Sequence, residues 1–458
     1  AQMPLVSSFW LSKKKGRKAW VVPHTDPRAR TVRFEVKQGT GEPPDPPKQG
    51  RGANFRCLIC GEMAPDQHIK DEGMAGRMGA QLMAIVTEGK NGRSYYAPTP
   101  EHEEIARSAQ PEWFPRGELA DDPRNIWCKQ YGLDDFADLF TPRQLTALTT
   151  FSDLVAEARE QIHADALAAG LPADDTPLRD GGSGARAYAE AVSVYLGLAV
   201  SRLSDIQNAL CMWENSKTQV RHVFTRHAIP MLWDFAENNA FNRAAGDYTT
   251  TVETMARVLD TSIITSQRSG SAVQDDAVKL NRPELITIAT DPPYYDNIGY
   301  ADLSDFFYIW LRRSLHEVYP NIFATMLVPK SPELIASPYR FDGNSDAANE
   351  HFETGLMQAF ANMRRVIPPE YPLTVYYAFK QEEVVVEEGV ASTGWEVMLA
   401  GLIDAGFAIV GTWPMRTELS NRMIASGTNA LASSIVLVCR PRPEDAPVIS
   451  RRDFINAL

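Results

Sequence analysis

Asp291-Pro292-Pro293-Tyr294 sets a carboxylate, a backbone carbonyl and an aromatic ring side by side. Each proline locks φ and carries no N–H, so two in succession end any strand before them and leave its last carbonyls unpaired. An acidic acceptor, a free carbonyl and a ring suit one task well. They can grip an exocyclic amino group while the ring stacks on the flat heterocycle that bears it. Tyr295, Asp296 and Asn297 follow directly and would line the same rim, although Asp296 equally suits an Asx turn that starts the next segment. The plainer reading is a Pro-Pro turn that closes a core strand beside an exposed tyrosine. A second chemical signal is the knuckle Cys57-Leu58-Ile59-Cys60-Gly61. Two thiolates at this spacing wrap one face of a tetrahedral zinc and Gly61 permits the tight turn, but a structural site needs four ligands. His68 is the only nearby candidate for a third, and Cys128, Cys211 and Cys439 stand alone.

These residues need elements to position them. Leu285 to Thr290 is short, apolar and β-branched, and reads as a strand buried on both faces of a parallel sheet. Ligands of open α/β sheets sit just past the carboxyl end of such a strand. A helix follows, with Leu303, Phe306, Phe307, Trp310, Leu311 and Leu315 on one face, which reads as core. A strand at Leu373–Phe379, a helix at Trp395–Ala405 closed by Gly406, and strands at Phe407–Thr412 and Ser434–Cys439 complete an α/β pattern. Short-loop alternation of this kind predicts a mostly parallel sheet.

Upstream the text is different. Residues 1–40 predict a hairpin-rich segment around the basic turn Lys13-Lys14-Lys15-Gly16-Arg17-Lys18, which could touch phosphates or be a solvated tip. The chain opens directly in strand-like text, so it is expected to begin inside a domain. Residues 39–52, rich in proline and glycine, predict a loop. From Thr141, a good N-cap before Pro142, the pattern turns helical through about residue 265. It includes a long helix out to Leu210 and helices at Pro230–Glu237 and Tyr248–Ile264. The glycines at 181–184 are not a cofactor loop, because the polar segment before them is no strand.

Composition narrows the class without naming it. The chain has 458 residues, 44% hydrophobic and 23% charged, enough for two to three domains and a large core. No apolar run approaches the ~20 residues that span a bilayer, so no membrane is expected. Five scattered cysteines make no disulfide framework, and a reducing cytoplasm is the simplest setting. A net charge of −12 argues against a protein that coats nucleic acid, but leaves room for a local basic groove on an acidic body.

The D-P-P-Y tetrad resembles the catalytic motif of the amino-methyltransferases that modify adenine or cytosine with S-adenosylmethionine as donor. The longer run from Asp291 through D-P-P-Y-Y-D-N-I-G-Y-A-D-L-S-D-F-F-Y-I-W-L-R-R resembles bacterial adenine-specific DNA methylases that carry an N-terminal domain of unknown function. That likeness extends from M-P-L-V-S-S-F-W-L-S-K-K-K-G-R-K to G-T-N-A-L-A-S-S-I-V-L-V-C-R. The resemblance implies that Asp291 and the Pro292 carbonyl accept from the target amine, and that Tyr294 stacks on a base swung out of duplex DNA. It implies a partial Rossmann-like methyltransferase sheet over residues 266–458, its last strand inserted antiparallel, behind a β-rich, zinc-knuckle-like recognition region (1–135) and a helical region (136–265). It places the Gly-rich cofactor turn, the first three strands of the sheet and a second cysteine pair upstream of Ala1. The chain is then expected to hold half a zinc ribbon and to need that upstream part or another subunit to bind S-adenosylmethionine. Adenine in double-stranded DNA is the leading substrate. RNA or a protein amide, and a non-catalytic DNA-binding or defence-system subunit, are the alternatives.

Overall fold

The computed structural model describes residues 3–90, 92–244, 246–262, 270–280, 285–295, 298–377, 384–386, 389–391, 393–415 and 434–446. Among them it is a mixed α/β protein with eight α-helices and several small sheets. The chain divides into two compact units, residues 1–268 with 300–329, and residues 269–299 with 330–458.

The first unit opens with the antiparallel sheet β1 (Trp10–Ser12), β2 (Ala19–Asp26) and β3 (Thr31–Gln38). Alternation along T-V-R-F-E-V (residues 31–36) places Val32, Phe34 and Val36 inward. There Phe34 and Val36 pack with Phe9, Leu11, Ala19 and Val21. Three short hairpins follow along the chain, β4 (Phe55–Arg56) with β5 (Met63–Ala64), β6 (Ile85–Gly89) with β7 (Gly92–Tyr96), and β8 (Trp213–Glu214) with β9 (Gln219–Val220). The helices of this unit are α1 (Asp66–Met74), α2 (Pro100–Arg107), α3 (Pro142–Ala168), α4 (Ala185–Ser204), α5 (Tyr248–Thr261) and α6 (Tyr300–Leu315).

Helix α3 starts where its local chemistry dictates. The Thr141 hydroxyl accepts from Gln144 N and Gln144 Oε1 accepts from Thr141 N, a reciprocal capping box, with Pro142 in the first turn. Helix α6 buries Leu303, Phe306, Trp310 and Leu315, as its periodicity predicts. Phe140 stacks on Phe306 and meets Trp310 edge-on. Each such ring contributes about 1.5–3 kcal/mol over an exposed one.

Two expectations fail in this unit. Pro230–Glu237 is not a helix, and α4 stops at Ser204 rather than running to Leu210. The cause is long-range pairing. Ala236 N donates to Cys211 O, Ile229 N donates to Asn125 O, and the Asp205 carbonyl accepts from Val223 N. Those partners take the backbone groups that a helix would use.

The second unit holds a four-stranded sheet, β10 (Ala289–Thr290), β11 (Leu373–Tyr377), β15 (Ser434–Pro441) and β14 (Phe407–Met415), in that spatial order. A small hairpin, β12 (Val384–Val386) with β13 (Gly389–Ala391), lies between β11 and β14 in sequence. The sheet is not mostly parallel. Only β10–β11 is parallel, and β15 runs antiparallel to both of its neighbours. Helices α7 (Ser345–Val366) and α8 (Thr393–Asp404) supply Phe352, Leu356, Phe360, Met398 and Leu402, which pack with Leu373, Val375, Leu437 and Cys439. The opposite sheet face leaves Tyr376 and Trp413 exposed.

The strand before the tetrad is also shorter and more open than its composition suggests. Leu285, Thr287 and Ala289 are exposed while Ile286, Ile288 and Thr290 are half-buried. One face is covered, not two, and β10 forms the edge of the sheet among the described residues.

Candidate functional site

The tetrad leaves the sheet where β10 ends. Thr290 pairs with Val375 of β11, and the ladder begins with Thr374 N donating to the Ile288 carbonyl. Beyond Thr290 the prolines supply no donor, so pairing stops while β11 runs on to Tyr377. Asp291 is exposed, Pro292 is buried, and Pro293 and Tyr294 are half-buried. The buried proline fixes the backbone, and the carboxylate beside it stays in contact with solvent.

Tyr294 lies against the core of the second unit and meets the ring of Tyr377 edge-on, with centroids 6.3 Å apart at 70°. Tyr377 in turn lies 5.9 Å from the ring of Trp395 and donates its hydroxyl to the Gly394 carbonyl at 3.4 Å. Strand β11 ends at Tyr377 and helix α8 begins at Thr393, so the carboxyl end of one strand and the first turn of one helix carry this row of rings. In the sequence Tyr377 reads only as a strand residue and Trp395 only as the start of a helix. The available signal was positional: an aromatic at the carboxyl end of the strand beside the tetrad, and a Gly-Trp pair opening a helix. Gly394 is also constrained, because a Cβ there would lie 3.2 Å from both Tyr295 Cβ and the Tyr377 hydroxyl.

Tyr295 has an anchoring place in the structure. Its ring packs on Phe352 at 4.9 Å, its hydroxyl donates to Glu353 Oε1 at 3.3 Å, and its carbonyl accepts from Ala336 N at 2.7 Å. Those bonds tie the turn to α7 and to the segment before that helix. Asp296 and Asn297 lie outside the described residues.

A cleft of about 520 Å³ also opens in this unit, lined by Asp276, Lys279, Glu350, His351, Thr354 and Gln358 among others, but by neither Asp291 nor Tyr294. Its histidine is engaged, since a bond from Nε2 to the Glu333 carbonyl requires the proton on that nitrogen. Size alone does not make that cleft a reaction site.

Cys57 and Cys60 do come together on one turn. Gly61 N donates to the Cys57 carbonyl, Cys57 N donates to Glu62 O, and Gly61 takes φ +78°. Burial alone would push the Cys57 thiol up, but the backbone N–H groups of Cys60 and Ile59, with the Cys60 side chain, hold it below its ordinary value. No three metal-ligating side chains gather among the described residues, so this pair does not fit an intact zinc centre there. No described helix is long and apolar enough to cross a membrane. Set against protein-family models, curated proteins and solved structures, the chain matches none of them.

Proposed function

We propose that the chain carries the substrate-holding half of an S-adenosylmethionine-dependent methyltransferase that modifies the exocyclic amine of a base in DNA, adenine ahead of cytosine. The observation that supports it is the placement of the tetrad. An exposed carboxylate and a half-buried ring leave the carboxyl end of a strand together, beside a further ring contributed by the neighbouring strand.

In this reading Asp291 accepts one amine hydrogen and the Pro292 carbonyl accepts the other. Both pull electron density onto the nitrogen. Tyr294 holds the ring of the base by stacking, worth about 1–3 kcal/mol. S-adenosylmethionine, when bound, supplies an electrophilic methyl group on sulfur. Asp291 would take the proton the amine gives up and pass it to solvent. No residue described here is assigned to the cofactor. The outer edge of β10 is where a cofactor-bearing strand could add, from another part of the polypeptide or from another subunit.

A second reading, a DNA-binding subunit without transferase activity, is favoured by that same edge, beside which no further strand pairs among the described residues. One experiment separates them. In the whole protein, with any partner subunit present, Asp291→Ala should abolish transfer of labelled methyl groups to duplex DNA and leave duplex affinity within about twofold. Unchanged transfer would remove Asp291 from the mechanism, and absence of transfer by the wild type would favour the second reading.

A further inference from the structure

The chain's acidic total hides a strongly basic start. Residues 1–60 hold twelve Lys and Arg against four Asp and Glu, a net +8 within a protein of −12. The structure arranges many of these cations on one surface. Trp10 pairs with Trp20, Trp20 with Lys37, and His24 with Arg33, so these side chains share one face of the sheet β1–β2–β3. The other face is buried in the local core through Leu11, Ala19, Val21 and Val36. On this face Trp20 is buried against Gly41, while His24, Arg33 and Lys37 are exposed.

Both ends of β2 are basic turns. At one, Lys13, Lys14, Lys15 and Arg17 are exposed around Gly16, and the ammonium groups of Lys13 and Lys18 sit over the Trp10 ring at 5.7 and 5.4 Å. At the other, Arg28 and Arg30 are exposed on a turn fixed by the Asp26 carboxylate, which accepts from Arg28 N and Ala29 N. Eight strand residues at about 3.3 Å each put the two turns roughly 26 Å apart, with Arg33 and Lys37 between. The acids on this surface are few and engaged. Glu35 contacts His24 and Lys37, Glu42 contacts Lys18, and no described ion pair uses Lys13, Lys14, Lys15, Arg17, Arg28, Arg30 or Arg33.

We infer that this face binds the phosphate backbone of a nucleic-acid duplex. A duplex carries one charge per ~1.7 Å of axis, so a ~26 Å row of cations can neutralise several phosphates at once. Contacts from these cations to phosphate contribute affinity and register, not base sequence. The inference deepens the methyltransferase reading by locating where the DNA backbone docks, and it can fail independently of that reading.

The test is fluorescence anisotropy of a labelled duplex of about 25 base pairs, titrated with the full chain between about 50 and 200 mM salt. Charge reversal at one turn (Lys13→Glu, Lys14→Glu, Lys15→Glu) and separately at the other (Arg28→Glu, Arg30→Glu) should each weaken binding at least about tenfold. Each should also lower the slope of log affinity against log salt by about 2–3. Arg257→Glu, on exposed helix α5, should leave both unchanged. Unaltered circular dichroism separates lost contacts from lost folding, and two variants at opposite turns guard against one misfolding. Affinity within twofold of wild type for both variants overturns the inference. So does equal or tighter capture of the chain by phosphatidylserine vesicles, which would make the partner a membrane surface. Weakened binding with no methyl transfer by the wild type would sink the catalytic reading and spare this one. Asp291-dependent transfer with unweakened binding would do the reverse.

Discussion

At the scale of single residues, the tetrad was legible because its chemistry is local. Two prolines end a strand wherever they fall, and Asp291 and Tyr294 arrive at the same point by covalent connection. What surrounds them was not legible, since Tyr377 meets Tyr294 through the pairing of β10 with β11, and Trp395 meets Tyr377 through the seating of α8. The role of Tyr294 can be measured directly. If its ring is the stacking surface, Tyr294→Ala should lower kcat/KM for methyl transfer by one to two orders of magnitude, the worth of about 1–3 kcal/mol of stacking. Tyr294→Phe should stay within a few-fold of wild type. Equal losses in the two variants would point to the hydroxyl and away from stacking.

At the scale of elements, signals that a few neighbouring residues complete among themselves were read correctly, and those that need distant partners were not. The capping box at Thr141 lies within four residues, and α3 begins where it indicates. The inward face of β3 follows from its alternation, with Phe34 and Val36 in the core. By contrast, Pro230–Glu237 has helical composition but gives its backbone to Cys211, which no local pattern reveals. The apolar run before Asp291 looked doubly buried because composition does not distinguish a central strand from an edge strand. One close packing of elements is equally invisible in sequence. Helix α1 meets the 3-10 turn Cys128–Tyr131 so closely that a Cβ on Gly132 would lie 2.3 Å from the Gly73 carbonyl oxygen, and Gly132 itself takes φ +83°. Gly132→Ala should therefore destabilise the first unit by on the order of 3 kcal/mol, from left-handed backbone strain and overpacking together. A urea midpoint no lower than wild type would contradict that packing.

At the scale of the whole molecule, the α/β character was readable from the alternation after residue 285, and the antiparallel last strand β15 was implied by the resemblance. The expectation of a mostly parallel sheet failed, because alternation does not reveal that β14 also enters antiparallel to β15 and leaves β10–β11 as the one parallel pair among the described strands. Average charge misled in a similar way, because −12 is a sum over a basic first sixty residues and an acidic remainder. The account also makes a demand on cofactor binding. Among the described residues strand β10 is the sheet edge, and no glycine turn directly follows a buried strand. Calorimetry on the 458-residue chain alone should accordingly show S-adenosylmethionine binding weaker than micromolar, whereas a micromolar Kd would place the cofactor site within this chain. The most direct test of the central claim is the nucleoside composition of genomic DNA from cells that express the whole protein or its Asp291→Ala variant. The account predicts N6-methyladenine above background with the wild type and background levels with the variant. The same methylated nucleoside at equal abundance in both would contradict it.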